Sequence, residues 1–251
     1  MKRYVALGSS MAAGPGITPR AAGSPWPAMR SARNYPHLTA ARLGLDLVDV
    51  TYSGATCAHI LTDHQHKTPP QLEALDGSEE LVTITIGGND VGYVPLLTLA
   101  ALPAPLRRIA PANDLFDPAA RDAALATVRD ALVRVGAAVR DRAPQARVVF
   151  VDYLTLLPPS GTPAPIPADL FALGHRVAAG LEAATADAAA ATGCEVVRAG
   201  AASRDHHPWS REPWTTKPSW LIIPVPGRGP APLHPNAAGM RAVADLVVAA
   251  L

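Results

Sequence analysis

Short apolar runs and longer amphipathic runs alternate along the 251 residues of the chain. The short runs are rich in valine, isoleucine and leucine, which is typical of strands that a parallel sheet buries on both faces. We therefore predict strands at Tyr4–Leu7, Leu47–Val50, Leu81–Ile86, Val148–Val151 and Val196–Val197.

The amphipathic runs predict three helices. One follows an Asp-Pro cap signal and extends over Asp117–Arg142, one follows Pro167 and stops near Gly193, and the last covers about Pro235–Leu251. Their apolar positions recur every three or four residues, at Leu125, Val128, Leu132, Val135 and Val139, at Leu170, Leu173, Val177 and Leu181, and at Met240, Val243 and Val247.

Strands that alternate with helices predict an α/β fold, here a flavodoxin-like three-layer α/β/α sandwich around a mainly parallel sheet. The length is sufficient for one core, so we expect a single domain over residues 1–251. In such sheets the reactive loops gather beyond the carboxyl ends of the strands.

The charge balance argues against a polyanionic partner. Lysine and arginine number 22 and aspartate and glutamate 21, and they are distributed along the chain, so we expect no nucleic-acid binding and no integral membrane association. Cys57 and Cys194 lack metal or redox spacing and are predicted to be unpaired thiols. The first apolar run is too short for a signal peptide, which predicts a cytoplasmic protein, or a secreted one if a leader has been removed.

Three separate segments carry residues suited to chemistry. Gly8-Ser9-Ser10 follows the first predicted strand, Gly87-Gly88-Asn89-Asp90 follows the third, and Leu233-His234-Pro235 precedes the last helix. Each segment alone is typical of an ordinary turn or helix cap. Their combination is far more specific, and through it the chain resembles the SGNH hydrolases, also called GDSL-type esterases and lipases, over essentially its whole length.

The resemblance implies an ester hydrolase that works through an acyl-enzyme. Ser10 matches the family's nucleophile and His234 its general base, since a serine hydroxyl attacks well only when a base accepts its proton. The backbone N–H groups of Ser10 and Gly54 and the side-chain amide of Asn89 match its oxyanion hole. The implied substrate is a small-molecule or lipid ester, and no metal, nucleotide or flavin cofactor is implied.

Two positions depart from the family pattern. Ser9 stands where an aspartate is usual, so the contacts of that carboxylate must be replaced or absent. Ala231 stands three residues before the histidine, where the family has the acid that orients the imidazole. We predict that the Ala231 carbonyl, or one beside it, takes over this task in a Ser–His dyad. The side chains of Asp205 and Glu212 are the alternatives.

A substrate pocket is predicted around five further residues. The candidates are Met11, His59, Trp209, Trp214 and Trp220, and the tryptophans are equally suited to pinning a long proline-rich loop onto the core. The runs Asp63-His64-Gln65-His66 and His206-His207 contain metal-ligand residue types but lack a third ligand at useful spacing.

Four other functions remain open. The same scaffold would serve a phospholipase, a carbohydrate acetylesterase or an acyltransferase, and in the last of these an alcohol replaces water. The missing acid also leaves open a binding protein without catalytic activity. Fold alone does not separate these functions.

Overall fold

The computed structural model describes residues 2–110, 114–163, 165–219 and 229–251 of the chain. Within these residues the centre of the molecule is a sheet of five strands, β1 (Arg3–Gly8), β2 (Asp46–Asp49), β3 (Glu79–Thr85), β4 (Arg147–Val151) and β5 (Glu195–Val197). All neighbouring strands are parallel, in the order β2-β1-β3-β4-β5. The connections diverge on either side of the neighbours β1 and β3, and ligand-binding crevices form at such reversals of strand order.

Helices connect and cover the strands. They are α1 (Ser10–Ala13), α2 (Tyr35–Leu43), α3 (Cys57–Leu61), α4 (Tyr93–Ala100), α5 (Ala104–Ile109), α6 (Pro118–Arg142), α7 (Ala168–Ala191), α8 (Ala199–Ala202) and α9 (Ala237–Ala250). No helix in the described ranges combines the length and the apolar character that crossing a bilayer requires.

The sheet separates two apolar layers. Along β1 the side chains alternate, so that Val5 and Leu7 join a large cluster with α3, α4, α6 and α7, whereas Tyr4 and Ala6 join a smaller one with α2 and α9. All four side chains are fully buried. This two-sided burial explains why the strands are continuous apolar runs in the sequence.

The predicted α/β/α sandwich is confirmed. Each predicted strand and helix is present, with boundaries within two residues of those expected. The helices α1 to α5 and α8 were not predicted. Of these, α4 is apolar almost throughout, in the sequence YVPLLTLA, and so lacks the polar face that marks an amphipathic helix. Cys57 and Cys194 are both unpaired, as predicted.

Candidate active site

The loop after β1 is fixed by a close approach to β3. Gly8 has φ +149°, and a Cβ at this position would lie 2.5 Å from the Thr85 carbonyl oxygen, so only glycine fits. The next N–H, of Ser9, donates to the same carbonyl at 2.9 Å. Ser10 then begins α1, and its hydroxyl lies at the carboxyl edge of the sheet with 8% of the residue exposed.

His234 reaches the same point from the other end of the chain. Its Nε2 lies 2.8 Å from Ser10 Oγ, and its Nδ1 lies 2.7 Å from the carbonyl oxygen of Pro232. A carbonyl only accepts hydrogen bonds, so Nδ1 carries the proton and Nε2 is free to accept one from Ser10. Burial lowers the pKa of His234 from its usual value near 6.5, and the Pro232 carbonyl partly offsets this, so the imidazole is neutral at pH 7.

The carbonyl that faces the imidazole is one residue away from the one named in the sequence analysis. Ala231 O accepts from the Thr216 hydroxyl at 2.6 Å, whereas Pro232 O faces Nδ1. The reason is the turn through these residues, which directs successive carbonyls to different sides. Asp205 and Glu212 are exposed, and among the described contacts neither side chain binds His234.

The other two segments of the motif meet beside Ser10. The Asn89 amide donates to the Ala55 carbonyl at 2.8 Å, and the Asp90 carboxylate accepts from Cys57 N at 3.0 Å. Burial raises the pKa of Asp90, and the hydrogen bonds from Cys57 offset this only in part. Both contacts tie the loop after β3 to the loop that contains Gly54, whose φ is +81°. The Asn89 amide has a second N–H, for which the described contacts include no partner.

Ser10, Gly54, Asn89 and His234 all line one open cleft with a volume of roughly 490 Å³. The rest of its wall comes from α4 and from several loops. Its apolar part includes Met29, Val94, Pro95, Leu99 and Leu115, whereas Ser53, Thr98 and Ser219 are polar residues of the same wall. Sequence reasoning missed this wall because α4 itself was not predicted, although it directly follows the Gly-Gly-Asn-Asp segment.

The residues predicted for the substrate pocket lie elsewhere. Met11 is 4% exposed and belongs to the main core cluster. His59 caps α3 through Thr56, whose N–H lies 3.0 Å from His59 Nδ1, and it lines a different cavity with Tyr52 and Gln65. Neither residue lines the cleft that contains Ser10.

The tryptophans of the long loop act as anchors. Trp209 packs against the main core, and Trp214 stacks on His206 with ring centroids 4.0 Å apart, so neither lines the cleft. Trp220 lies outside the described residues. The alternative interpretation of these residues, that they pin the loop, fits the two that are described. No group of three metal-ligating side chains occurs in the described parts of the chain.

Tyr153, which sequence reasoning did not single out, joins two of the loops. Its hydroxyl lies 3.1 Å from Ser9 Oγ and accepts from Gly88 N at 2.9 Å. Ser9, at the position of the usual aspartate, therefore has a partner on the neighbouring loop. Burial raises the pKa of Tyr153, which keeps the phenol neutral. The only signal in the sequence is that this tyrosine follows a predicted strand by two residues.

An α/β/α sandwich that brings a serine hydroxyl against a neutral imidazole has the features of a serine hydrolase. Comparison with known families agrees with this class. The chain belongs to the GDSL-like lipase/acylhydrolase family, whose model matches residues 6–242. The resemblance inferred from the three sequence segments is thus confirmed.

Three proteins that are similar to this chain over most of their length come from Streptomyces. The chain is 33% identical to "Lipase 2" of Streptomyces coelicolor over 250 residues, which is 96% of this chain and 83% of the relative. Two solved structures superpose with a TM-score of 0.82 at 26% identity. Phospholipase A1 from Streptomyces albidoflavus is matched over 99% of this chain and 98% of its own, and an extracellular lipase from Streptomyces rimosus over the whole of both chains.

Proposed function

We propose that this protein hydrolyses carboxylic esters through an acyl-enzyme on Ser10, with His234 as the general base. The observation that carries the proposal is the 2.8 Å contact between Ser10 Oγ and His234 Nε2. The tautomer is the required one, because the Pro232 carbonyl keeps the proton on Nδ1. The membership of the GDSL-like family supports the same reaction.

In the acylation step, Ser10 Oγ attacks the ester carbonyl carbon while its proton passes to Nε2 of His234. The C–O bond to the alcohol then breaks, and the same proton leaves with the alcohol. Water repeats the sequence on the acyl-enzyme and releases the acid. The imidazolium that forms in each step is stabilised by the Pro232 carbonyl dipole in place of a carboxylate.

The oxyanion of each tetrahedral intermediate needs donors. We assign this task to the backbone N–H groups of Ser10 and Gly54 and to the second N–H of the Asn89 amide. All three residues line the cleft beside the nucleophile. Donors held by surrounding backbone contacts need no reorganisation as charge develops, which is why such sites lower barriers strongly.

The cleft wall favours an apolar acyl or aryl group. Leu99, Val94 and Leu115 provide a surface that an aliphatic chain would cover, and a sugar hydroxyl placed on these three side chains would find no partner there. The relatives described as lipases and as a phospholipase A1 support lipid-like esters, phospholipids included. The extracellular relative favours secretion of this protein also.

The test is hydrolysis of p-nitrophenyl esters from acetate to palmitate, together with labelling by a fluorophosphonate. We expect turnover that depends on acyl length, and labelling that is absent in Ser10→Ala. Added acceptor alcohol separates hydrolysis from acyl transfer through its products. A wild-type protein that neither turns over nor becomes labelled would be a binding protein, and the proposal would be wrong.

A further inference from the structure

Residues 231–234 form a tight turn with an unusual third position. His234 N donates to the Ala231 carbonyl at 3.3 Å, which closes a four-residue turn with Pro232 second and Leu233 third. Leu233 has φ +57°, a value that the third position of a type II turn requires and that glycine normally supplies. In this type of turn the peptide after the proline is reversed relative to a type I turn. The Pro232 carbonyl is thereby directed to His234 Nδ1.

A leucine in this conformation is held there by its surroundings. Its side chain is fully buried in the core, where glycine would leave a void. The backbone conformation is disfavoured for a residue with a Cβ, so the turn needs contacts that oppose its relaxation. One is the Ala231 N–H, which donates to the Pro15 carbonyl at 2.9 Å.

The remaining contacts come from Thr216 on the preceding loop. Its hydroxyl donates to Ala231 O at 2.6 Å and lies 3.3 Å from His234 N, which donates to it. Its backbone N–H donates to His234 O at 3.0 Å, beside a bridge between Thr215 and Pro235. The single hydroxyl thus bonds both the first and the last residue of the turn.

We propose that Thr216 is a positioning residue, whose hydroxyl holds the turn so that the Pro232 carbonyl stays on the imidazole. Among the described contacts Thr216 does not bind Ser10, and it does not line the cleft. This inference depends on the proposed function of His234. In a full triad an acid orients the histidine. Here the Thr216 side chain would do so indirectly, because it fixes the backbone whose Pro232 carbonyl faces the imidazole.

The experiment compares Thr216→Val, which keeps the shape and removes the hydroxyl, with Thr216→Ser, which keeps the hydroxyl. A matched control is Thr215→Val, since the adjacent Thr215 hydroxyl is buried on the Thr155 carbonyl and does not contact the turn. For each variant kcat and KM for p-nitrophenyl butyrate are measured between pH 5 and pH 9, with thermal unfolding as the measure of folding.

We expect Thr216→Val to lower kcat roughly 10- to 100-fold with little change in KM, as small misplacements of a reacting group do. The acid limb of kcat should also move to lower pH. The Pro232 carbonyl raises the pKa of His234, so a weaker contact leaves that pKa lower. Thr216→Ser should keep the wild-type rate and limb, and Thr215→Val should change stability alone.

Equal kcat and equal pH profiles for Thr216→Val and Thr215→Val would overturn the inference. If the valine variant does not fold, Thr216→Ala against Thr216→Ser gives the same comparison without added bulk. Failure of the proposed function is distinguishable, because the wild type would then show no turnover, or Ser10→Ala would retain it, whatever the Thr216 variants do.

Discussion

Ser10 and His234 meet at 2.8 Å, but different kinds of contact hold them there. Ser10 directly follows a strand, and backbone hydrogen bonds to β3 fix its loop, as in the 2.9 Å bond from Ser9 N to Thr85 O. His234 lies in a turn outside the sheet, where the Pro232 carbonyl orients the imidazole ring. The direction of that carbonyl depends on Leu233, whose φ of +57° lies in the left-handed region.

The nucleophile and the base therefore depend on two different levels of structure, the sheet and a local turn. The nucleophile's position follows from the order of the strands, which any sequence that forms this sheet reproduces. The base's position follows from one turn, which the Thr216 side chain and a few backbone hydrogen bonds hold, so we expect it to be the easier of the two to disturb. The predictions below test this difference, beginning with the largest effect.

The first prediction is that Ser10 and His234 act as one catalytic unit. Ser10→Ala and His234→Ala should each lower kcat by about 10⁴-fold or more, and the double variant should lose hardly more than either single one. The reason is that a serine without its base, or a base without its serine, supplies no proton transfer. Steady-state rates with p-nitrophenyl butyrate measure this, and losses that multiply would show that the residues act separately.

The second prediction concerns the oxyanion donor on the Ser10 side. Asn89→Ala should lower kcat roughly 10²- to 10³-fold, which corresponds to about 2.7–4 kcal/mol of barrier. KM should change little, because the amide binds charge that develops only in the transition state. Since the same amide donates to Ala55 O, unfolding by urea is the control for a loosened loop. A raised KM at unchanged kcat would contradict the assignment.

The difference between the two sides also explains how far sequence reasoning reached. Ser10 and Asn89 follow apolar runs at the ends of parallel strands, so their proximity could be predicted from the order of the elements. The carbonyl on His234 could not, because Ala231 and Pro232 differ only in how the turn directs them. Leu233 gives no hint of φ +57°, since nothing local marks a leucine for the left-handed region.

The two described tryptophans of the predicted pocket lie away from the cleft for a related physical reason. Aromatic residues near a catalytic segment suit a substrate wall, but Trp214 instead stacks on His206 and anchors its own loop. The actual wall comes from α4, whose uniformly apolar sequence carries no periodic signal of which face is exposed. Composition indicates that such residues are buried or bind apolar groups, and only the packing decides between the two.

The third prediction tests the link between the loops on the Ser10 side. Tyr153→Phe removes the hydroxyl that Ser9 and Gly88 contact, and leaves Gly88 N without this partner. We expect a several-fold loss of kcat and a loss of about 1–3 kcal/mol in the free energy of unfolding.

Tyr4→Phe is the matched control for that variant, because it removes a buried hydroxyl bonded to Thr83 within the sheet. It should lower the free energy of unfolding without lowering kcat. Equal effects of the two variants on kcat would mean that Tyr153 contributes only to stability.

The smallest effect on kcat is expected from the two carboxylates nearest to the role of a triad acid, Asp205 and Glu212. Asp205→Asn and Glu212→Gln should each leave kcat within about twofold, because exposed side chains that do not bind His234 neither fix its tautomer nor stabilise the imidazolium. Glu212 touches the nearby loop through its backbone, whose carbonyl lies 2.7 Å from His206 Nδ1 and is kept in the glutamine variant. Rates across pH 5–9 measure the effect. A loss of 10²-fold or more in either variant, with unchanged unfolding, would mean that a carboxylate reaches the imidazole during turnover and that the turn at residues 231–234 does not hold it alone.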